Sequence, residues 1–217
     1  MDGKEITVAV EGNIGCGKST FLRFFESIYP DIEVMPEPIG QWRDAKGHNI
    51  FEMFYSDPRK YNSPFRAQVM VTLLNQLAQP RKSPIRLIER SIHSNRFCFI
   101  EAIKKSGLIS DGDFQVLDEC YEWSRHLPVM KLDLIVYLQS TPEICAERIR
   151  KRSRKGEESI SMGYLQELHD LHEDWLLGEK STRLPAPVLV FDCSEPLEKV
   201  TSNYYNRRDE VFCGIKV

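Results

Sequence analysis

Several features that would assign this sequence to a class of protein are missing from it. Its longest apolar stretches, such as residues 132–138 and 187–191, have the length of strands, so none could cross a bilayer as a helix. The net charge is −3, whereas proteins that bind duplex DNA usually carry a basic excess. We therefore expect neither nucleic acid nor a membrane among the partners of this chain.

Redox and targeting signals are also sparse. The six cysteines form no Cys-x-x-Cys pair and mostly have apolar neighbours, which favours buried free thiols in a reducing compartment. Residues 1–5 lead directly into an apolar run, without the apolar core of a signal peptide or an Arg-rich presequence. The expected location is the cytoplasm.

What the sequence does contain is an alternation of short apolar runs and amphipathic segments. With 217 residues, 41% of them hydrophobic and 28% charged, we expect one globular domain over residues 1–217. Alternation of this kind predicts an α/β fold, a parallel sheet wrapped by helices. Strands are expected at 6–10, 86–89, 132–138 and 188–192, with a further short one at 34–35, and helices at 19–28, 64–78, 91–106, 111–126, 142–154 and 161–177. The segment after residue 197 could be a docked helix or a frayed end.

Residues 12–19 fit the pattern Gly-x4-Gly-Lys-Ser/Thr between a buried strand and an amphipathic helix. In such a loop the glycines let backbone amides approach a phosphate, and the helix N-terminus adds positive dipole. Lys18 would reach the β- and γ-phosphates, and the Ser19 hydroxyl would ligate Mg²⁺. The pattern predicts an ATP site with Mg²⁺, formed by Gly12, Asn13, Ile14, Gly15, Cys16, Gly17, Lys18, Ser19 and Thr20.

The rest of the sequence narrows the kind of phosphate-binding protein. A GTPase would need a guanine-specific Asn-Lys-x-Asp, which is absent, and the Asp-x-x-Gly at 44–47 has no apolar strand before it. A motor or large ATPase needs a longer chain. A small-molecule kinase fits the length, and it requires an acid, a phosphate-binding cation and a closing lid.

All three requirements have candidates. Glu37 stands between two prolines that stiffen its backbone, although it could be an exposed loop acid. Glu89 and Arg90 end an apolar run and could serve Mg²⁺ and phosphate, or form a simple ion pair at a strand end. The basic run that opens segment 148–160 could be a solvated face or a nucleic-acid patch. In a negatively charged chain with a phosphate loop, we interpret it as a lid whose arginines Arg148, Arg152 and Arg154 clamp phosphates.

Taken together, these motifs resemble the deoxynucleoside kinase family. The likeness rests on residues 6–20, on Pro-Glu-Pro at 36–38 followed by Trp42, on Glu-Arg-Ser-Ile-His-Ser at 89–94 and on residues 164–176. It is greatest to the branch of mitochondrial thymidine kinases and insect multisubstrate deoxynucleoside kinases. The resemblance implies a P-loop fold with a five-stranded parallel sheet, ATP-dependent phosphorylation of a deoxynucleoside 5′-hydroxyl in nucleotide salvage, and a homodimer.

The resemblance also implies roles for single residues. Glu37 would be the general base on the 5′-hydroxyl, Arg90 would contact that hydroxyl and the transferred phosphoryl group, and Glu89 would organise Mg²⁺. The sugar 3′-hydroxyl would be held by Tyr55 and Glu158, and the base would lie between Trp42 and Phe99. Lys18 and the three lid arginines would neutralise the charge of ATP.

One position departs from the family pattern. Where the relatives have a glutamine whose amide recognises the base edge, this sequence has Arg66, and Asn95 replaces a small residue of the thymidine-preferring relatives. Arginine only donates hydrogen bonds, whereas thymine and cytosine each present a donor, so neither matches it well. Guanine offers two acceptors, O6 and N7. We expect a pyrimidine deoxynucleoside, thymidine or deoxycytidine, as substrate from the resemblance. A deoxyguanosine kinase, another small-molecule kinase and an inert nucleotide-binding protein are the alternatives.

Overall fold

The computed structural model, which describes residues 5–154, 157–178 and 184–216, contains one five-stranded parallel sheet. Its strand order is β2-β3-β1-β4-β5, so β1 lies at the centre between β3 and β4. This confirms the predicted fold class, including the short second strand. The strands are β1 (Ile6–Glu11), β2 (Glu33–Met35), β3 (Ile85–Glu89), β4 (Leu134–Gln139) and β5 (Val188–Asp192).

Helices cover both faces of the sheet. The run 92–105 is one helical stretch in which a π-helical segment, Asn95–Ile100, separates two short α-helices. The helices are α1 (Lys18–Ile28), α2 (Ile39–Arg43), α3 (Ile50–Ser56), α4 (Pro58–Leu77), α5 (Ile92–Ser94), α6 (Glu101–Lys105), α7 (Asp111–Ser124), α8 (Pro142–Arg152), α9 (Met162–Leu176), α10 (Leu197–Asn206) and α11 (Arg208–Val211), with a 3₁₀ turn at Pro128–Met130.

Two hydrophobic clusters form because alternate residues of each strand point to opposite faces. Val8 and Val10 of β1 pack with α1, α10 and α11, whereas Ala9 packs with α4, α9 and the π-helical segment. Burial on both faces explains why the sequences of the central strands are mostly apolar. The sheet is therefore a rigid middle layer from whose carboxyl edge the polar residues project.

Some boundaries differ from those predicted. Helices α2 and α3 fall in a stretch for which no helix was expected, and α4 begins at Pro58, where the Asp57 side chain accepts a hydrogen bond from the Lys60 amide (3.3 Å). Helix α8 stops at Arg152, because Ser153 takes a left-handed conformation (φ 47°). Strand β4 starts after Asp133, whose carboxylate accepts from the Thr7 amide (2.9 Å).

The segment after residue 197 is a docked helical region. Val200 and Tyr204 of α10 are buried, and the Tyr204 ring lies 4.7 Å from that of Phe21 on α1. Phe212, which follows α11, is fully buried against Phe25, with their ring centroids 5.3 Å apart. Packing of these aromatic rings, which sequence reasoning could not assign to a partner, decides between the two alternatives.

Candidate active site

The phosphate loop runs from the carboxyl end of β1 to the first turn of α1. Gly12 and Gly15 have positive φ values of 137° and 83°, and a Cβ at either position would lie 2.7 Å from a backbone carbonyl oxygen, of Leu138 and Cys145 respectively. Only glycine fits both the backbone conformation and this close approach. The loop therefore ends at the N-terminus of α1, which begins at Lys18, and a helix N-terminus stabilises an anion.

The polar groups at the start of α1 are already in place. The Lys18 ammonium is buried and donates hydrogen bonds to the carbonyl oxygens of Asn13 (2.8 Å) and Gly12 (3.2 Å). The Ser19 hydroxyl donates to the Glu89 carboxylate, at 2.9 Å from Oε1 and 3.2 Å from Oε2. A hydroxyl and a carboxylate this close are oxygen ligands of the kind Mg²⁺ uses when phosphates and water complete its shell. Across the ranges described, no group of three or more His, Cys, Asp or Glu side chains could hold a metal ion.

Glu37 and Arg90 meet above this loop. Arg90 Nε lies 2.7 Å from Glu37 Oε1, and Arg90 Nη1 donates to the Gly12 carbonyl oxygen at 3.0 Å. Burial alone would lower the pKa of Arg90, but the carboxylates of Glu37 and Glu11 outweigh it and raise that pKa. The acid that follows β2 and the cation that follows β3 are thus brought together, because parallel strands end at the same edge of the sheet.

An aromatic pocket opens beside this ion pair. Trp42 and Phe99, which were predicted to flank the base, both line it, and the Trp42 indole is fixed by a hydrogen bond to Thr72 Oγ1 (2.8 Å). Tyr55 also lines it, and burial raises the pKa of its hydroxyl, which therefore stays protonated. The pocket is also lined by Ile39, Phe51 and Phe65, which no sequence motif indicated, and by Val69, Leu73 and Tyr164. We call it the aromatic pocket below.

Arg66 projects into the aromatic pocket. Its guanidinium carbon lies 4.8 to 5.2 Å from the ring centroids of Phe54, Phe65 and Phe99. Its Nη1 is 3.5 Å from Asn95 Oδ1, and within the described ranges its Nε and the Asn95 Nδ2 have no hydrogen-bond partner. Burial lowers the pKa of Arg66. The side chain thus stays at the pocket and meets Asn95.

A second pocket lies on the other side of the phosphate loop. It is lined by loop residues, by the three predicted lid arginines and by Cys193, Leu197, Val200 and Tyr204. Arg148 is anchored there by hydrogen bonds to the carbonyl oxygens of Cys16 (3.1 Å) and Cys193 (2.7 Å). Arg148 thus contacts backbone oxygens, whereas Arg152 and Arg154 both form ion pairs with a carboxylate.

That carboxylate belongs to Glu157. The resemblance implied that its neighbour Glu158 enters the site, and the structure corrects this expectation. Glu157 is 5% exposed, lines the aromatic pocket, and accepts from Arg152 Nη2 (2.6 Å) and Arg154 Nη1 (3.2 Å). Glu158 is exposed and does not line that pocket. Two adjacent acids look equivalent in a sequence, and only the pairing with both arginines selects the first. Lys155, also within the predicted lid, falls outside the described residues.

Glu11 is a further acid that the sequence reasoning missed. It is completely buried at the end of β1, and its Oε1 accepts a hydrogen bond from Ser91 Oγ at 2.5 Å. Burial raises the pKa of Glu11 to about 7, against the lowering effects of the Ser91 hydrogen bond and the Arg90 charge. An acid closing an otherwise apolar strand was the one sequence signal that could have indicated it.

Comparison with known proteins agrees with this geometry. The family model described as "Deoxynucleoside kinase" matches residues 8–211. Mitochondrial thymidine kinase 2 of Homo sapiens is 38% identical over 208 residues, which cover 96% of this chain and 78% of the relative. Deoxycytidine kinase 2 of Gallus gallus is 31% identical (91% and 86% covered), and deoxycytidine kinase of Homo sapiens is 30% identical (87% and 84% covered).

Proposed function

The chain belongs to the deoxynucleoside kinase family, and from this premise we propose that it transfers the γ-phosphoryl group of ATP to the 5′-hydroxyl of a pyrimidine deoxynucleoside, in nucleotide salvage. The observation that carries the proposal is the Glu37–Arg90 pair (2.7 Å), which lies between the phosphate loop and the aromatic pocket. A hydroxyl held there would meet both a carboxylate and a guanidinium. Initial rates with ATP and each of the four deoxynucleosides test it, and phosphorylation of thymidine monophosphate in preference to thymidine would contradict it.

The chain's own groups supply the chemistry. Glu37 accepts the proton of the 5′-hydroxyl, which makes that oxygen a better nucleophile. Arg90 and Lys18 neutralise charge that develops on the transferred group, and phosphoryl transfer depends mainly on such positioning and electrostatics. Ser19 and Glu89 would hold Mg²⁺, which when bound shields the phosphate charges.

For the base, we propose that Arg66 and Asn95 together replace the glutamine of the relatives. A glutamine amide offers one donor and one acceptor, and here Arg66 offers donors while Asn95 Oδ1, 3.5 Å away, is an acceptor. The named activities of the relatives, on thymidine and deoxycytidine, support a pyrimidine. Within the described residues Arg66 Nε has no hydrogen-bond partner, and this donor favours deoxyguanosine as the second candidate, because guanine has two adjacent acceptors.

Arg66→Gln is expected to raise the ratio of pyrimidine to deoxyguanosine kcat/KM about tenfold. The reason is that glutamine lacks the second donor that the two acceptors of guanine would use, and the loss of one such pairing costs about 1–3 kcal/mol. The measurement is kcat/KM for thymidine, deoxycytidine and deoxyguanosine in the parent and the variant. Gln68→Glu, on the same helix but directed to the Gln41 carbonyl oxygen, is the control. Ratios that stay within about twofold would show that Arg66 does not recognise the base.

For the sugar, we propose that Glu157 and Tyr55 hold the 3′-hydroxyl, in place of Glu158 and Tyr55. Glu157→Gln should raise the deoxynucleoside KM about tenfold, because a charge-assisted hydrogen bond is lost. The neighbouring Glu158→Gln is the matched control and should stay within about twofold of the parent. A 2′,3′-dideoxynucleoside, which has no 3′-hydroxyl, should be as poor a substrate for the parent as for Glu157→Gln. If Glu158→Gln instead raises the KM more than Glu157→Gln does, Glu158 is the acid that holds the 3′-hydroxyl.

We propose that the chain forms a homodimer through an exposed apolar surface on α4 and α7. Val71, Val116 and Trp123 are 52%, 59% and 68% exposed there, beside buried Met70 and Leu117. Large apolar side chains grouped on a surface commonly mark a protein interface. Sedimentation of the 25.2-kDa chain would distinguish monomer from dimer.

The cytoplasmic location stays a prediction. None of the described helices is long and apolar enough to cross a membrane. The human relative of highest identity given above carries a mitochondrial location in its name. Fractionation of cells that express the chain would locate it.

A further inference from the structure

Glu11 is a buried acid to which the reaction above gives no role. Among the residues of β1 it is the one ionisable side chain, and it is 0% exposed. Its Oε1 accepts from Ser91, but within the ranges described its Oε2 has no hydrogen-bond partner. Burying a carboxyl group with one oxygen unsatisfied costs free energy. A neutral side chain could accept the hydrogen bond of the Ser91 hydroxyl with a smaller penalty of burial. The presence of an acid at this position therefore needs an explanation.

Its surroundings indicate what the acid does. Three consecutive residues, the last two of β1 and Gly12 after them, hold the turn formed by Arg90 and Ser91. The Val10 carbonyl oxygen accepts from the Arg90 amide (3.0 Å), Glu11 Oε1 accepts from the Ser91 hydroxyl (2.5 Å), and the Gly12 carbonyl oxygen accepts from Arg90 Nη1 (3.0 Å). Glu11 is the side-chain member of this three-point attachment.

The attachment restrains an unfavourable backbone. Arg90 has φ 65°, in the left-handed region that costs a non-glycine residue free energy and persists only where neighbouring contacts hold it. In this conformation the Arg90 guanidinium reaches Glu37 at 2.7 Å. Release of Ser91 would remove one of the contacts that keep the turn strained and the guanidinium in place.

We propose that Glu11 is a positioning residue for phosphoryl transfer, whose carboxylate holds the Arg90–Ser91 turn so that Arg90 stays aligned beside Glu37. The proposal rests on the proposed function, because it assigns Arg90 to the transfer step. In this proposal Glu11 contributes a buried negative charge that affects the reaction through Arg90 and does not contact the substrate.

The groups that face Glu11 determine when it is charged. Arg90, Ser91 and Ser94 approach it from the segment after β3, Lys18 from α1, and Cys98 from the π-helical segment. On β4, Tyr137 is its partner in the strand register. Burial raises the pKa of Glu11 to about 7, and the Ser91 hydrogen bond opposes this rise. The carboxylate therefore predominates above about pH 7, and its protonation at lower pH weakens the hold on the turn.

Glu11→Gln keeps the shape of the side chain and removes its charge. We expect kcat to fall by up to about 100-fold, the order expected when a catalytic group is misplaced by about 1 Å, with the deoxynucleoside KM within about twofold. We also expect the parent's decline of kcat below about pH 7 to disappear in the variant. Ser91→Ala removes the hydroxyl through which Glu11 holds the turn, so it should also lower kcat and flatten that pH decline.

A matched control is Glu33→Gln, since Glu33 is also a buried carboxylate on the sheet but pairs with Arg86 (2.8 Å), away from Arg90. It should lower the melting temperature and leave kcat and its pH profile unchanged. A kcat and pH profile in Glu11→Gln equal to those of the parent would overturn the proposal. A lower kcat with an unmoved pH decline would also overturn it, because the acid would then be merely structural.

Two further outcomes are informative. If Glu11→Gln does not fold, Ser91→Ala decides, and a kcat and pH profile equal to those of the parent would overturn the proposal there. If the parent phosphorylates no deoxynucleoside, the proposed function fails instead, and stability becomes the readout. A raised pKa means that the native state binds the proton more tightly, so the parent should lose stability relative to Glu11→Gln as pH rises from about 4.5 to about 7. A difference that stays constant over this window would contradict the titration of Glu11.

Discussion

Replacing Glu37 with glutamine is expected to lower kcat by roughly 10²- to 10⁴-fold, the usual contribution of a positioned general base, while the deoxynucleoside KM changes little. Glutamine has nearly the same shape and can still accept from Arg90 Nε, which lies 2.7 Å from Glu37 Oε1. The substrate site therefore stays intact, but the proton of the 5′-hydroxyl loses its acceptor.

The measurement is steady-state kinetics with ATP and the preferred deoxynucleoside, with melting temperatures to confirm folding. Glu26→Gln removes one exposed carboxylate from α1 and serves as the control for net charge. Full kcat in Glu37→Gln would refute the assignment. A raised KM with unchanged kcat would instead make Glu37 a residue of uniform substrate binding.

Lys18→Ala is expected to reduce turnover by at least roughly 10²- to 10³-fold, because it deletes a preorganised cation from the site of the transferred phosphoryl group. The Lys18 ammonium is buried and bound by two loop carbonyl oxygens, of Gly12 and Asn13, so it is held in position before any substrate arrives. Its removal should weaken ATP binding as well as catalysis.

Thermal stabilisation by ATP is the second measurement. At an ATP concentration 100 times its Kd, the parent should gain about 2.7 kcal/mol, and a variant that binds 100-fold more weakly should keep only about 0.4 kcal/mol. Lys199→Ala, which removes an exposed lysine paired with Glu195, is the control. Lys18→Met keeps most of the aliphatic stem if Lys18→Ala is too unstable. Turnover at the parent rate in either Lys18 variant would show that the loop is not the catalytic phosphate site.

The sequence alone determined the sheet and the phosphate loop, because both depend on contiguous residues. Apolar runs of five or six residues predict buried parallel strands, and the loop pattern needs only eight positions in a row. Glu37 and Arg90 could also be predicted, since each follows a strand and parallel strands end at one edge. Helices α2 and α3 were missed because their burial depends on packing with α4, far from any repeating pattern.

The tertiary structure decided which of several equivalent side chains enter the site. Glu157 and Glu158 are adjacent in the sequence, and contacts with Arg152 and Arg154 bring the first one inward. Arg66 and Asn95 are 29 residues apart and meet only because α4 packs on the π-helical segment.

The contact between Glu11 and Ser91 likewise could not be predicted from the sequence, because the two residues are even farther apart in the chain. They lie 80 residues apart and come within 2.5 Å because β1 and β3 are neighbours in the sheet. Short-range sequence patterns determine local conformation through backbone geometry and burial. Such patterns can be identified directly in the sequence. The pairing of distant polar groups depends on how whole elements pack, since a shift of about 1 Å makes or breaks a hydrogen bond.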